Sequence, residues 1–150
     1  MRVKISEIKK AVNEKLISLF PDMSPPYGKE TVQGHIRPCF FSEISVRNRT
    51  KTKKYNENEG VITLTYLQDE PDELDALEKY DAICEAFKLK LKVNNRYINV
   101  DGIEYNWTGK DDNILQIEIE ISYVDSNDTK KEHEIMKKME LKEEIYNGNA

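Results

Sequence analysis

The sequence predicts an α+β domain: a mainly antiparallel sheet with a long β-hairpin arm, two helices packed on one face, and a C-terminal helix. Three observations predict it. Leu115, Ile117, Ile119, Ile121 and Tyr123 alternate with Gln116, Glu118, Glu120 and Ser122, the period-two pattern of a half-buried strand. Residues 3–19 instead repeat apolar side chains at helical spacing. Such segments follow one another as helix, strands, helix, strands, helix, an order that places helices together on one side of an antiparallel sheet. At 150 residues the chain is long enough for one real core. The expected division is a single domain over residues 1–128 and a helical extension over 129–150.

The first helix rests on Val3, Ile5, Ile8, Ala11, Val12, Leu16, Leu19 and Phe20, with Lys9, Lys10, Asn13, Glu14 and Lys15 between them. Pro21 stops it. Residues 21–30 are a loop by composition, and residues 31–37 are expected to form a short strand, which Gly34 and Pro38 make an edge or an irregular stretch. A second helix is expected over 71–89. Asp69, Glu70, Pro71, Asp72 and Glu73 mark its start, because proline suits a first turn and carboxylates favour the positive end of the helix dipole. Leu74, Leu77, Tyr80, Cys84, Phe87 and Leu91 are assigned to its core face. Asp101-Gly102, between two β-prone runs, reads as a two-residue hairpin turn. Residues 109–113 read as another turn, and Asp125-Ser126-Asn127-Asp128 as the end of the last strand. From 129 to 146 the apolar residues spread around a helix without forming a stripe, so that helix gains little by packing on its own domain.

The arm spans residues 40–67. A strand-like run, 40–46, continues into Arg47-Asn48-Arg49-Thr50-Lys51-Thr52-Lys53-Lys54, and residues 55–60 form a polar tip before a second run, 61–67. Side chains alternate faces along a strand. Arg47, Arg49, Lys51 and Lys53 therefore share one face, and Asn48, Thr50 and Thr52 the other. The root of this arm belongs to the core, while its end has nothing of its own to bury. The tip is expected to be mobile in a free subunit and ordered within an assembly. Two readings of the basic face stand side by side. Its cations keep a sheet edge from aggregating, or Arg47, Arg49, Lys51, Lys53 and Lys54 meet an acidic partner or phosphates.

Charge separates along the chain. Residues 1–60 carry 12 Lys+Arg against 7 Asp+Glu, and residues 61–150 carry 11 against 21. That split suits ordered self-association, with the outward Glu118 and Glu120 as a complement to the basic arm. A net charge of −5 argues against a dedicated DNA binder, whose basic charge dominates the whole domain. Specific nucleic-acid binding also wants aromatic side chains among the cations, and only Tyr55 is present. A mean hydropathy of −0.73 and the lack of a long apolar run argue against membrane contact. No apolar signal core follows Met1, so a cytoplasmic location is expected. Cys39 and Cys84 are expected as free thiols.

No set of residues converges on a reaction, and no cofactor or metal is expected. The six glycines form no phosphate loop or nucleophile elbow. His35 and His133 lie far apart, and His133-Glu134 lacks the second histidine of a zinc helix. Asp125, Asn127 and Asp128 lack the glycine and closing glutamate of a calcium loop. Asp69, Asp72 and Asp75 are explained by a helix start. Glu118 and Glu120 point outward from a strand with no cleft implied.

Several features in order resemble the small tail terminator (tail completion) proteins of Gram-positive phages and related phage-tail-like particles. They are the helix and proline loop of residues 8–26; Phe40-Phe41-Ser42-Glu43-Ile44 running into a basic arm; and Val61-Ile62-Thr63-Leu64-Thr65-Tyr66. The helix of residues 72–87 follows. Val100-Asp101-Gly102-Ile103-Glu104 then leads to Leu115-Gln116-Ile117-Glu118-Ile119-Glu120-Ile121-Ser122-Tyr123. The resemblance spans residues 3–125 and leaves 129–150 unmatched. It implies a structural, non-enzymatic subunit, assembled in the host bacterial cytoplasm, that forms a hexameric ring at the neck or collar of a tail. Such a ring caps the head-proximal end of the tail tube and halts its growth. In contractile tails it also meets the sheath, and in a phage it offers a docking face to the connector. Its partners are then itself, the tube protein and the sheath or connector. A head–tail connector or other neck subunit shares this physics, and a nucleic-acid-binding accessory protein is the more distant alternative.

Overall fold

The computed structural model describes residues 3–29, 36–50 and 52–126. Its elements are α1 (Ile5–Leu19), β1 (Cys39–Thr50), β2 (Tyr55–Leu67), α2 (Glu73–Ala86), β3 (Lys90–Val93), β4 (Arg96–Thr108) and β5 (Ile114–Ser126). The strands form one sheet in the order β1-β2-β5-β4-β3, and every neighbouring pair is antiparallel. This is the expected α+β class, with α1 and α2 on one face of the sheet. The predicted helix over 129–150 and most of the predicted strand over 31–37 lie outside the described residues; Ile36 and Arg37 are not in a strand.

Each element follows from its residues. In α1, Ile8, Val12 and Leu16 are buried, and the Glu7 carboxylate accepts a hydrogen bond from the Lys4 N–H at 3.4 Å. In β5 the alternation is complete: Leu115, Ile117, Ile119, Ile121 and Tyr123 are buried. These side chains meet Ile62, Leu64 and Tyr66 of β2 and Ile98 of β4 beneath the helices, forming one apolar cluster. Phe40 stacks between Phe20 and Tyr66, with ring centroids 5.5 Å and 4.9 Å away.

Four local expectations are corrected. First, residues 55–60 are not a tip. β2 starts at Tyr55, and β1 pairs with it without a break from Cys39↔Leu67 to Thr50↔Asn56. β2 is also an interior strand, because β5 follows it to Tyr55↔Ser126. The arm is thus held on its second strand along its whole length. Extending the period of Ile62, Leu64 and Tyr66 backwards puts Asn58 and Asn56 on the core side, where both are buried.

Second, Asp101-Gly102 makes no hairpin. It lies within β4, at a register shift between Val100 and Gly102. The extra residue of a bulge suits the same sequence as a tight turn. The turn into β4 falls at Asn94-Asn95, with Asn94 at φ 54°, a conformation asparagine tolerates. Third, α2 is rotated from the predicted face. Ala76 and Ile83 are buried, while Leu74 is 74% exposed; Phe87 is buried as expected, and Leu91 belongs to β3. Fourth, β5 does not stop before Asp125. It continues to Ser126 with Asp125 buried. The predicted turn over 109–113 is present, with Gly109 at φ 91° and Asp112 at φ 51°.

Candidate assembly interface

The helices leave the second face of the sheet open. Strand pairing decides what it carries, because directly paired residues share a face. Arg47 of β1 lies opposite Glu59 of β2, and Arg49 opposite Glu57. On the other side of β2, Glu59 faces Ser122, Val61 faces Glu120 and Thr63 faces Glu118. Glu104 of β4 lies opposite Glu118. Arg47, Arg49, Glu118 and Glu120 therefore stand on one face, separated by β2. Lys53 and Lys54 are exposed in the adjoining turn; Lys51 lies outside the described residues. Glu120 is exposed and Glu118 half-buried.

The sequence reading missed Glu57 and Glu59, because it assigned them to a tip. They interleave acidic charge between the arginines and β5. A shallow depression of about 580 Å³ sits there, lined among others by Arg47, Glu57, Glu59, Asp101, Glu120 and Ser122. Neither Arg47 nor Arg49 forms an ion pair with another described residue. The face thus presents Arg47 and Arg49 at one end of the outer strand, Glu43 further along it, and carboxylates across the three strands beside it.

The far end of the sheet is closed on the helix side by polar groups. Asp125 is 2% exposed. Its carboxylate accepts from Arg96 Nη1 at 2.7 Å, from Asn58 Nδ2 at 3.3 Å and from the Val3 N–H at 3.2 Å. Asn58 Oδ1 in turn accepts from Asn48 Nδ2 at 2.9 Å, and Arg96 Nη2 donates to Val124 O at 2.6 Å. One hydrogen-bonded chain therefore crosses β1, β2, β5 and β4 and ties the segment before α1 to them. It replaces the apolar packing that the arm's end lacks, and it holds the strands under Arg47 and Arg49 in register.

A second network fixes the start of α2. Asp72 caps the helix by accepting from the Asp75 N–H at 3.2 Å. The Asp75 carboxylate accepts from Tyr66 Oη at 2.7 Å, Gln68 Nε2 at 3.0 Å and Lys79 Nζ at 3.0 Å. Burial alone raises a carboxyl group, but hydrogen bonds from Tyr66, Lys79 and Gln68 outweigh it and hold Asp75 below its usual range. Burial, with Asp75 as its acceptor, pushes the Tyr66 hydroxyl up. Burial and contact with Cys84 likewise push Tyr80 up to about 12, while its hydroxyl donates to Ile103 O at 3.0 Å. Cys39, which is buried, and Cys84, which is half-buried, are both free thiols.

Asp75 has a depressed folded-state value, so its contribution is present above the unfolded value near pH 4 and is lost as pH falls through the lower, folded one. Replacing Asp75 with Asn is expected to cost about 1–3 kcal/mol at pH 7. It also flattens the acid limb of a stability–pH profile measured by urea unfolding. A variant that keeps the wild-type acid limb shows that this carboxylate is not its source.

Among curated proteins, none matches the chain. A family model described as phage tail terminator protein matches residues 7–136. The chain belongs to the phage tail terminator family, a structural component of a phage tail that acts through contacts with other tail proteins.

Proposed function

We propose that this protein caps the head-proximal end of a tail tube as a ring of six copies. The ring stops tube growth, and in a contractile tail sheath growth, and gives the connector a surface on which to dock. The role is structural, not catalytic, and assembly takes place in the host cytoplasm. The domain of residues 1–128 forms the ring body, with 129–150 as an extension. The observation that carries this reading is the open sheet face, where Arg47 and Arg49 on β1 stand beside carboxylates on β2, β4 and β5. A capping subunit has to bind its own copies sideways and the tube axially. A face of mixed sign supports both through charge-assisted contacts that fix orientation.

Arg47, Arg49, Lys51, Lys53 and Lys54 reach the tube or the next subunit, with Glu118 and Glu120 as the complement offered by a neighbouring copy.

Replacing Arg47, Arg49, Lys51 and Lys53 together with Ser is expected to leave the subunit folded, with a circular dichroism spectrum and melting temperature close to wild type. Tails assembled with it should be uncapped or overlong in electron micrographs. Normally capped tails of regular length from the folded variant would reject the assignment.

A further inference from the structure

β1 lies at one margin of the sheet, and among the described residues its outer side is only partly paired. The Tyr27 N–H donates to Phe40 O at 2.8 Å, and the Ser42 N–H donates to Tyr27 O at 2.9 Å. Main-chain groups alternate sides along a strand. Those of Ile44, Val46 and Asn48 therefore point outward as well. Among the described residues no other main chain pairs with them.

An outer strand of this length is normally blunted by a proline, a bulge or an inward-pointing charge. Residues 43–49 contain no proline, and their register with β2 has no shift. Their inward-facing side chains, Ile44, Val46 and Asn48, carry no charge. The charges on this stretch, Glu43, Arg47 and Arg49, all stand on the open face, with the two arginines together at the end nearer the turn. Arginine repels another arginine-bearing edge, but it does not repel an acidic strand.

The helix-side face of the same margin is unfinished. Ile44 and Val46 are only half-buried, and Ile5 is 47% exposed. Beside them is a cleft of about 350 Å³, lined by Val3, Ile5, Val46, Asn48 and Tyr123 among others. A strand laid along β1 would place alternate side chains over this cleft and over the arginines.

The geometry points to β1 as an acceptor for an extended acidic segment of a partner protein, added as a sixth strand beside residues 44–50. The fitting segment alternates apolar residues, which cover Ile44, Val46 and the cleft, with carboxylates that pair with Arg47 and Arg49. Main-chain hydrogen bonds hold it and the alternation selects it. The proposal refines the assembly reading by stating what the basic edge takes. Its test reads peptide binding, so its failure leaves tube capping untouched.

The probe is a fluorescent peptide, Thr-Ile-Glu-Val-Glu-Ile-Thr, capped at both ends and titrated with the full chain by anisotropy. Saturable binding is expected, weakened about five- to tenfold in the R47S/R49S variant, as two surface ion pairs imply. Replacing the central Val of the peptide with Pro removes a main-chain donor and is expected to abolish binding. A peptide with Lys for both Glu residues should bind no better than the proline peptide. Equal binding of acidic and basic peptides, binding undiminished by proline or by R47S/R49S, or no binding at millimolar peptide would each overturn the proposal. Circular dichroism checks that the variant is folded, as expected for two exposed arginines.

Discussion

Replacing Asp125 with Ala is expected to lower the stability of the domain by about 3–5 kcal/mol, a large part of the roughly 5–15 kcal/mol that domains of this size possess. The reason is the number of groups it serves. Arg96, Asn58 and the Val3 N–H all donate to one carboxylate that is 2% exposed. Its loss removes one acceptor from Arg96, which keeps Val124 O, and the acceptor of the Asn58 amide and of the Val3 N–H, and each donor left unmatched carries its own desolvation cost. Asn at the same position keeps the shape and one acceptor oxygen, so it should fall between Ala and wild type. Urea unfolding followed by fluorescence of Trp107, the single tryptophan, measures both. A change in Asp125→Ala below about 1 kcal/mol would show that water replaces the network.

Replacing Gly60 with Val is expected to cost at least about 3 kcal/mol, at the upper end of overpacking effects. A Cβ built at Gly60 would stand 2.8 Å from Ser45 O and 3.0 Å from Val46 Cγ2. The first contact is with backbone, which cannot move without parting β1 from β2. Ile121 Cγ1 lies 3.4 Å away on the other side, so the strain also reaches β5. Gly102 supplies the control. An added Cβ there meets only the flexible end of Glu120, at 3.6 Å, and Gly102→Ala should change stability by less than about 1 kcal/mol. Equal unfolding midpoints for Gly60→Val and wild type would refute the close-approach reading.

These two positions also show how far the sequence could be read. The class of fold, both described helices and the core of β5 follow from periodicity, because burial imposes the same period on the chain that the backbone does. Asp101-Gly102 misleads, since turn and bulge place similar local demands on the residues. Only the pairing of β4 with β5 on both sides of Val100 and Gly102 decides between them. Residues 55–60 mislead for a different reason. Asn56, Asn58 and Asp125 keep the period of a buried face but not its apolar chemistry, and polarity outweighed position. A buried amide or carboxylate is legible only when its partners are known, and Arg96 and Val3 are distant in sequence. The outward placement of Arg47, Arg49, Glu118 and Glu120 was legible from alternation alone. That they share a face, with Glu57 and Glu59 between them, required the strand order.

The seam between β2 and β5 has a consequence for how the chain reaches this state. β1 with β2, and β4 with β5, are neighbours in sequence and close across short turns. The seam instead joins two segments separated by all of α2, β3 and β4. Contacts of such separation are entropically late and slow folding toward the millisecond-to-second range. The Val3–Asp125 hydrogen bond spans 122 positions and needs the seam already closed. The segment before α1 therefore locks down on a finished sheet, and a nascent subunit displays an open basic hairpin until its last strand has arrived.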